Sequence, residues 1–244
     1  MSQWRAGSAF PETRWSKVLR VRSGQTDREA GAKALAELCE IYWFPLYAFA
    51  RRCGHPPHDA EDLTQGFFGR LLERELLAKA DPARGRLRSF LLGVFKRFIS
   101  EVERESRAQR RGGGHTFVSF DVEEAEERYG HEIVDAATPE SLFERSWFDR
   151  LLQYTLDRLE QEYDQRGKGD LFRRLQDSLA WNSAETRVSD LARQLGMSSG
   201  AVRVAIFRMR QRFSELLEEH VADTTVSESE TQEELEHLRR VMSG

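Results

Sequence analysis

The sequence predicts an all-α chain of two helical domains joined by an acidic flexible linker, on three observations. Apolar residues recur at three- and four-residue spacing through most of the chain, the period of a helix with one buried face. No run alternates apolar and polar residues in the two-residue period of a strand ladder. The helical pattern lapses over 112–140, a stretch that begins Gly112-Gly113-Gly114 and is rich in acid. The predicted organisation is an N-terminal extension (1–26), a first helical domain (27–111), the acidic linker (112–140), a second helical domain (141–219) and an acidic tail (220–244).

Each element has its own warrant. Thr13 to Val21 can form a short helix after Pro11. Residues 27–53 carry Leu35, Leu38, Tyr42, Leu46, Phe49 and Ala50 on one stripe, with Pro45 as a bend or a helix start. Gly54-His55-Pro56-Pro57 ends that unit, and Asp59 opens a helix through Leu72 and beyond. Ser89 to Arg107 places Phe90, Val94, Phe98 and Val102 at four-residue spacing; this stripe predicts Phe90 and Phe98 inside and Phe95 outside. Within the linker, Thr116 to Phe120 is a short candidate extended piece. After Pro139, Phe143, Trp147, Leu151, Leu159 and Tyr163 share a face. Gly167-Lys168-Gly169 breaks the helix before Leu171, Phe172, Leu175 and Leu179, and a terminal helix is expected at 232–242.

Charge is distributed unevenly, although the whole chain has a formal net charge of only −4. Residues 84–111 hold nine basic side chains against three acidic, and 187–212 hold six against Asp190 alone. Between them, 121–164 hold fourteen acidic against four basic. Two basic islands around an acidic middle suit a bipartite contact with nucleic acid.

The run 186–213 carries the sharpest functional signal. Ala192 is small enough for two helices to approach, Gly196 permits a tight turn, and Val202 fills the space between the helices. Leu191 and Leu195 lie four apart on the first helix, Ile206 lies four beyond Val202 on the second, and Ser198 or Ser199 can cap the second helix. This is helix-turn-helix spacing, and such a second helix can enter a DNA major groove. An ordinary helical hairpin would bury the same apolar positions, and it is the surrounding charge that favours DNA.

These features resemble the bacterial RNA polymerase sigma factors of the extracytoplasmic-function type. Asp59-Ala60-Glu61-Asp62-Leu63-Thr64-Gln65-Gly66-Phe67-Phe68 is similar to the acidic helix of the family's region two, with Leu63, Phe67 and Leu71 facing the core. The resemblance implies that Asp59, Glu61, Asp62 and Gln65 bind core RNA polymerase. Gly85-Arg86-Leu87-Arg88-Ser89-Phe90-Leu91 resembles the segment leading into the family's −10 helix, which implies DNA contacts by Arg86, Arg88, Lys96, Arg97 and Arg104. The chain departs from the family there: Arg97 stands where Asn is common, Glu101 for Asp, Phe90 for Trp, and Leu87 for an aromatic. No base-specific role is therefore carried over to that helix.

Ser198-Ser199-Gly200-Ala201-Val202-Arg203-Val204-Ala205-Ile206-Phe207-Arg208-Met209 resembles the family's region-four helix, which is set into the −35 element. Ser199, Arg203, Val204 and Phe207 are expected nearest the bases, with Arg208, Arg210 and Arg212 on phosphates. Ala108 to Gly114 and Thr138 to Phe143 extend the resemblance to a long, planctomycete-type subgroup. Its implied partners are core RNA polymerase, promoter DNA and an anti-sigma factor.

Other functions find less support. Cys53, His55 and His58 lack a fourth metal ligand at sensible spacing, the Glu123, Glu124, Glu126 and Glu127 cluster lacks a partner base, and the triple glycine is no phosphate loop. No metal, cofactor or catalytic residue is expected. The five tryptophans (Trp4, Trp15, Trp43, Trp147 and Trp181) suit core or hinge packing. Cys39 and Cys53 are too few for a disulfide scaffold and suit buried or half-buried thiols. No apolar run reaches the roughly 18–20 residues that span a bilayer, and no secretory core opens the chain. These points predict a cytoplasmic protein with no membrane partner. A free-standing helix-turn-helix regulator, usually a dimer, is the main alternative, and an enzyme acting on nucleic acid is a more distant one.

Overall fold

The computed structural model describes residues 28–72, 86–108, 122–132, 138–179, 188–225 and 227–243, and these are all-helical. In chain order the helices are α1 (Arg28–Arg52), α2 (Pro57–Leu72), α3 (Leu87–Ala108), α4 (Val122–Glu132), α5 (Pro139–Gln165), α6 (Gly169–Leu175), α7 (Val188–Leu195), α8 (Ser199–Ala222) and α9 (Glu228–Ser243). A 3₁₀ turn, Gln176–Leu179, follows α6. Packing divides the chain into one unit of Met1–Arg150 with Val221–Gly244 and a second of Leu151–His220. The division therefore falls inside α5 and at the end of α8. The sequence-based bounds placed it in the linker before Ser141 instead, and left 220–244 as a tail. Among the described residues no helix is long and apolar enough to cross a membrane.

In the first unit, α1 buries Leu38, Ile41, Tyr42, Leu46 and Phe49, the three- and four-residue stripe expected of it. Pro45 lies inside this helix and does not start it. Cys53 follows the helix and is exposed, not half-buried; Cys39 is half-buried, and burial pushes its thiol up to about 11. The chain then turns through Gly54, whose N–H donates to the Arg51 carbonyl while that of His55 donates to Ala50, the Schellman pattern of a helix end. Helix α2 buries Ala60, Leu63, Phe67 and Leu71. Gly66 permits close approach to α3: a Cβ there would lie 3.3 Å from Cζ of Phe98, tight enough that the ring would have to shift.

Helix α3 corrects the sequence-based stripe by one residue. Phe95, predicted to be outside, is fully buried, with its ring centroid 5.1 Å from that of Phe67 and 6.2 Å from that of Phe49. Leu87, Leu91 and Phe95 form the deepest row, Phe98 is buried as predicted, and Phe90 is only half-buried. One residue is a rotation of about 100° on a helix, so two neighbouring apolar stripes compete, and the Phe49–Phe67 pair selects the inner one.

Helix α4 lies in the stretch read as a linker. Ala125 and Tyr129 are buried one turn apart. Between them Glu126 accepts from Arg51 Nε at 2.6 Å and Nη2 at 3.0 Å, and from the Tyr47 hydroxyl at 2.5 Å. The hydrogen bonds from Arg51 hold the Glu126 carboxyl below the usual glutamate range. Gly112–Gly114, Thr116–Phe120, the N-terminal extension, Trp4, Trp15 and Trp181 lie outside the described residues. Trp43 and Trp147 are buried, as expected. Thr138 caps α5, its hydroxyl accepting from the Ser141 N–H at 3.1 Å, and Phe143 and Trp147 face inward.

The second unit is built on one core of Leu159, Phe172, Leu175, Ala192, Val202, Met209 and Leu216. Gly167 closes α5 with the same pair of hydrogen bonds seen at Gly54. Thr155 and His220 meet in the interior, Oγ1 to Nδ1, at 3.0 Å.

Candidate nucleic-acid interface

Helices α7 and α8 are joined by Gly196, Met197 and Ser198. Gly196 has φ +62°, a left-handed conformation that L side chains rarely adopt. Its N–H donates to Arg193, and that of Met197 donates to Ala192 at 3.0 Å, which ends α7 sharply. The Ser198 hydroxyl accepts from the Ala201 N–H at 3.2 Å and caps α8. Ala192 and Val202 are buried together in the core, with Leu191, Leu195 and Ile206 packed against it. The helix-turn-helix spacing read from the sequence thus corresponds to a local geometry.

The inward face of α8 determines what its other face presents. With Val202 and Met209 fully buried, Ser199, Arg203, Val204, Phe207 and Arg208 are all exposed. Val204 and Phe207, at 49% and 67% relative exposure, are the large hydrophobic side chains left outside among the described residues. They sit three apart, one turn of the same face. Among the described residues Arg203 and Arg208 form no ion pair, and α8 carries no carboxylate before Glu215. An exposed aromatic and valine between uncompensated guanidiniums can meet both phosphates and base edges.

Two arginines further along this helix, both expected on phosphates, already have partners within the chain. Arg210 donates through Nε and Nη2 to the Ser178 carbonyl at 3.0 and 2.6 Å, holding the 3₁₀ turn against α8. Arg212 donates to Glu162 at 2.7 and 3.0 Å and also pairs with Glu215 and Glu219. The Arg212 bond holds the Glu162 carboxyl below the usual range.

On α3 the expected cations are divided. Arg88 is a buried residue, its side chain 5% exposed, and it donates through Nε and Nη2 to Glu234 of α9, itself 2% exposed, and through Nη1 to Glu144 of α5 at 2.6 Å. Its guanidinium also lies 5.2 Å from the Trp147 ring centroid. Burial alone would lower this group, but its bonds to Glu234 and Glu144 outweigh that and push it up. Arg86 pairs with Glu234 at 2.8 Å and Glu233 at 3.5 Å, and Lys96 with Glu140 at 2.5 Å. Arg97 and Arg104 are exposed, and Arg104 donates to the Ser100 carbonyl. Glu140, Glu144, Glu233 and Glu234 are not singled out by the sequence, whose one pointer to them is the acidity of the middle segment and of the tail.

Helix α2 brings its four predicted residues to its outer side. Asp59 and Asp62 are exposed, and Glu61 and Gln65 are half-buried. The Gln65 amide donates to Glu61 at 2.7 Å, and His58 lies 3.3 Å from Asp62.

Fold and site together define an all-helical protein that presents an arginine-bearing helix behind a tight turn. Comparison with protein-family models, with curated proteins and with solved structures finds no match to this chain.

Proposed function

We propose that the protein is a sigma-type initiation factor that joins core RNA polymerase and directs it to a set of promoters. The observation that carries this reading is the outer face of α8, where Arg203, Val204, Phe207 and Arg208 stand exposed over a core closed by Ala192 and Val202. In this reading that face enters the major groove of the −35 element, with Arg203 or Arg208 on a guanine edge and the apolar pair against the groove floor. The outer side of α2, through Asp59, Glu61, Asp62 and Gln65, docks on the polymerase. The basic side chains of α3 take the −10 DNA, with Arg97 and Arg104 the most accessible of them. Phosphodiester chemistry belongs to the polymerase, so the factor itself needs no catalytic group.

The test is co-elution of the purified chain with core RNA polymerase from its own source on a sizing column. A stoichiometric complex that weakens when Asp62 and Gln65 are both changed to Ala is the expected result. No complex, with sequence-specific DNA binding intact, would overturn the reading in favour of a free-standing regulator.

A further inference from the structure

We infer that α9 is a built-in mask, its carboxylates occupying on α3 the positions that nucleic-acid phosphates would take. This rests on the reading of α3 as a DNA-contacting helix. Three cations at the start and middle of α3 are matched to carboxylates from other parts of the chain: Arg86, just before the helix, to Glu233 and Glu234, Arg88 to Glu234 and Glu144, and Lys96 to Glu140. Glu234 engages Arg86 and Arg88 at once, holding two guanidiniums with two carboxylate oxygens, as a phosphate can.

The way α9 is attached favours release. Over 228–240 its buried residues are Thr231, Glu234 and Leu238, with Leu235 half-buried, so a fully buried carboxylate sits at the centre of its inward face. A contact centred on an ion pair contributes less net stability than an apolar one of the same size, because desolvation offsets the attraction. An incoming polyanion supplies the same partner to the same cations. The start of the helix is fixed separately: Ser227 Oγ accepts from the Glu230 N–H at 3.2 Å, and the Thr225 and Thr231 hydroxyls meet at 2.7 Å. The helix can therefore lift off α3 with its N-terminal turn still formed.

The probe is a duplex oligonucleotide with a central mismatched bubble, titrated into the full-length protein. The variant Glu140→Gln with Glu233→Gln removes two exposed competitors and leaves the buried Arg88–Glu234 pair in place. It is expected to bind about fivefold more tightly, the change appropriate to two exposed pairs. The control Glu228→Gln with Glu236→Gln makes the same change in net charge at positions on α9 with no described partner, and should gain less than half as much. Hydrogen exchange over 228–243 should accelerate when the wild-type chain is saturated with the duplex. Equal affinity of variant and control, with unchanged protection of α9 on saturation, would overturn the mask and leave the DNA reading standing. If neither the wild type nor the variant binds the duplex, the DNA role of α3 falls and the mask falls with it.

Discussion

Helices α3 and α8 carry similar charge in the sequence and opposite charge environments in the structure. On α3, Arg86, Arg88 and Lys96 meet carboxylates from α5 and α9, and Arg88 is buried among them. On the first half of α8, Arg203 and Arg208 meet none among the described residues and flank two exposed apolar side chains. The difference arises from the neighbouring elements. Helix α3 packs where carboxylates of α5 and α9 reach its cations, whereas the first turns of α8 bury Val202 and Met209 and leave Arg203, Val204, Phe207 and Arg208 to solvent. A basic run presents its cations to a polyanion directly only where the fold leaves them unpaired; where they are paired, as at Arg86, Arg88 and Lys96, the polyanion must first displace the carboxylates.

The largest effect should come from breaking the paired side of this comparison. Changing Arg88→Met takes from the buried Glu234 one of its two guanidinium partners, with Arg86 remaining, and should cost up to about 3–5 kcal/mol of stability in denaturant unfolding. A loss below about 1 kcal/mol would mean that Glu234 reaches solvent and that α9 is held by something else. The converse change on α8 should separate binding from stability. Arg203→Ala should cost about 1–3 kcal/mol of affinity for cognate DNA if it reads a base, yet shift unfolding by no more than about 0.5 kcal/mol. A stability loss comparable to that of Arg88→Met would show that the α8 face is packed and not presented.

The smallest effect is a difference in acid sensitivity. Glu126 and Glu140 are held below the ordinary glutamate value by their bonds to Arg51 and Lys96, respectively. A carboxyl depressed in the folded state adds stability above its ordinary pKa and loses it as pH falls through the folded value. Hydrogen exchange over 122–132 and at the start of α5 should therefore rise as pH drops below about 4.5. The first turns of α8, where Arg203 and Arg208 form no ion pair among the described residues, should show no matching transition in that window. Parallel transitions in both would remove the electrostatic distinction between the two helices.

The legibility of these regions follows the same division. The α7–α8 turn could be read because everything that makes it is local: Ala192, Gly196, Ser198 and Val202 lie within one short stretch, and each has one conformational job. The interior of α2 was legible for the same reason, with Leu63, Phe67 and Leu71 four apart and all buried. Helix α4 was not, since its stretch is weakly periodic, and its anchor, Glu126, is an acid whose partners Tyr47 and Arg51 lie on α1. Nor could sequence choose between Phe90 and Phe95 as the inward residue of α3, because both belong to valid stripes and only the Phe49–Phe67 surface distinguishes them.

Period, capping residues and turn glycines were enough to determine that this chain is helical, where most helices start and stop, and which face of α8 is apolar. Hydrogen bonding within a helix and the preferences of a tight turn act over a few residues, so the local sequence contains the whole argument. Which cations remain available was decided only by tertiary structure. Arg88 and Glu234 lie 146 positions apart, and an ion pair depends on distance and desolvation, quantities that exist only once the helices have packed.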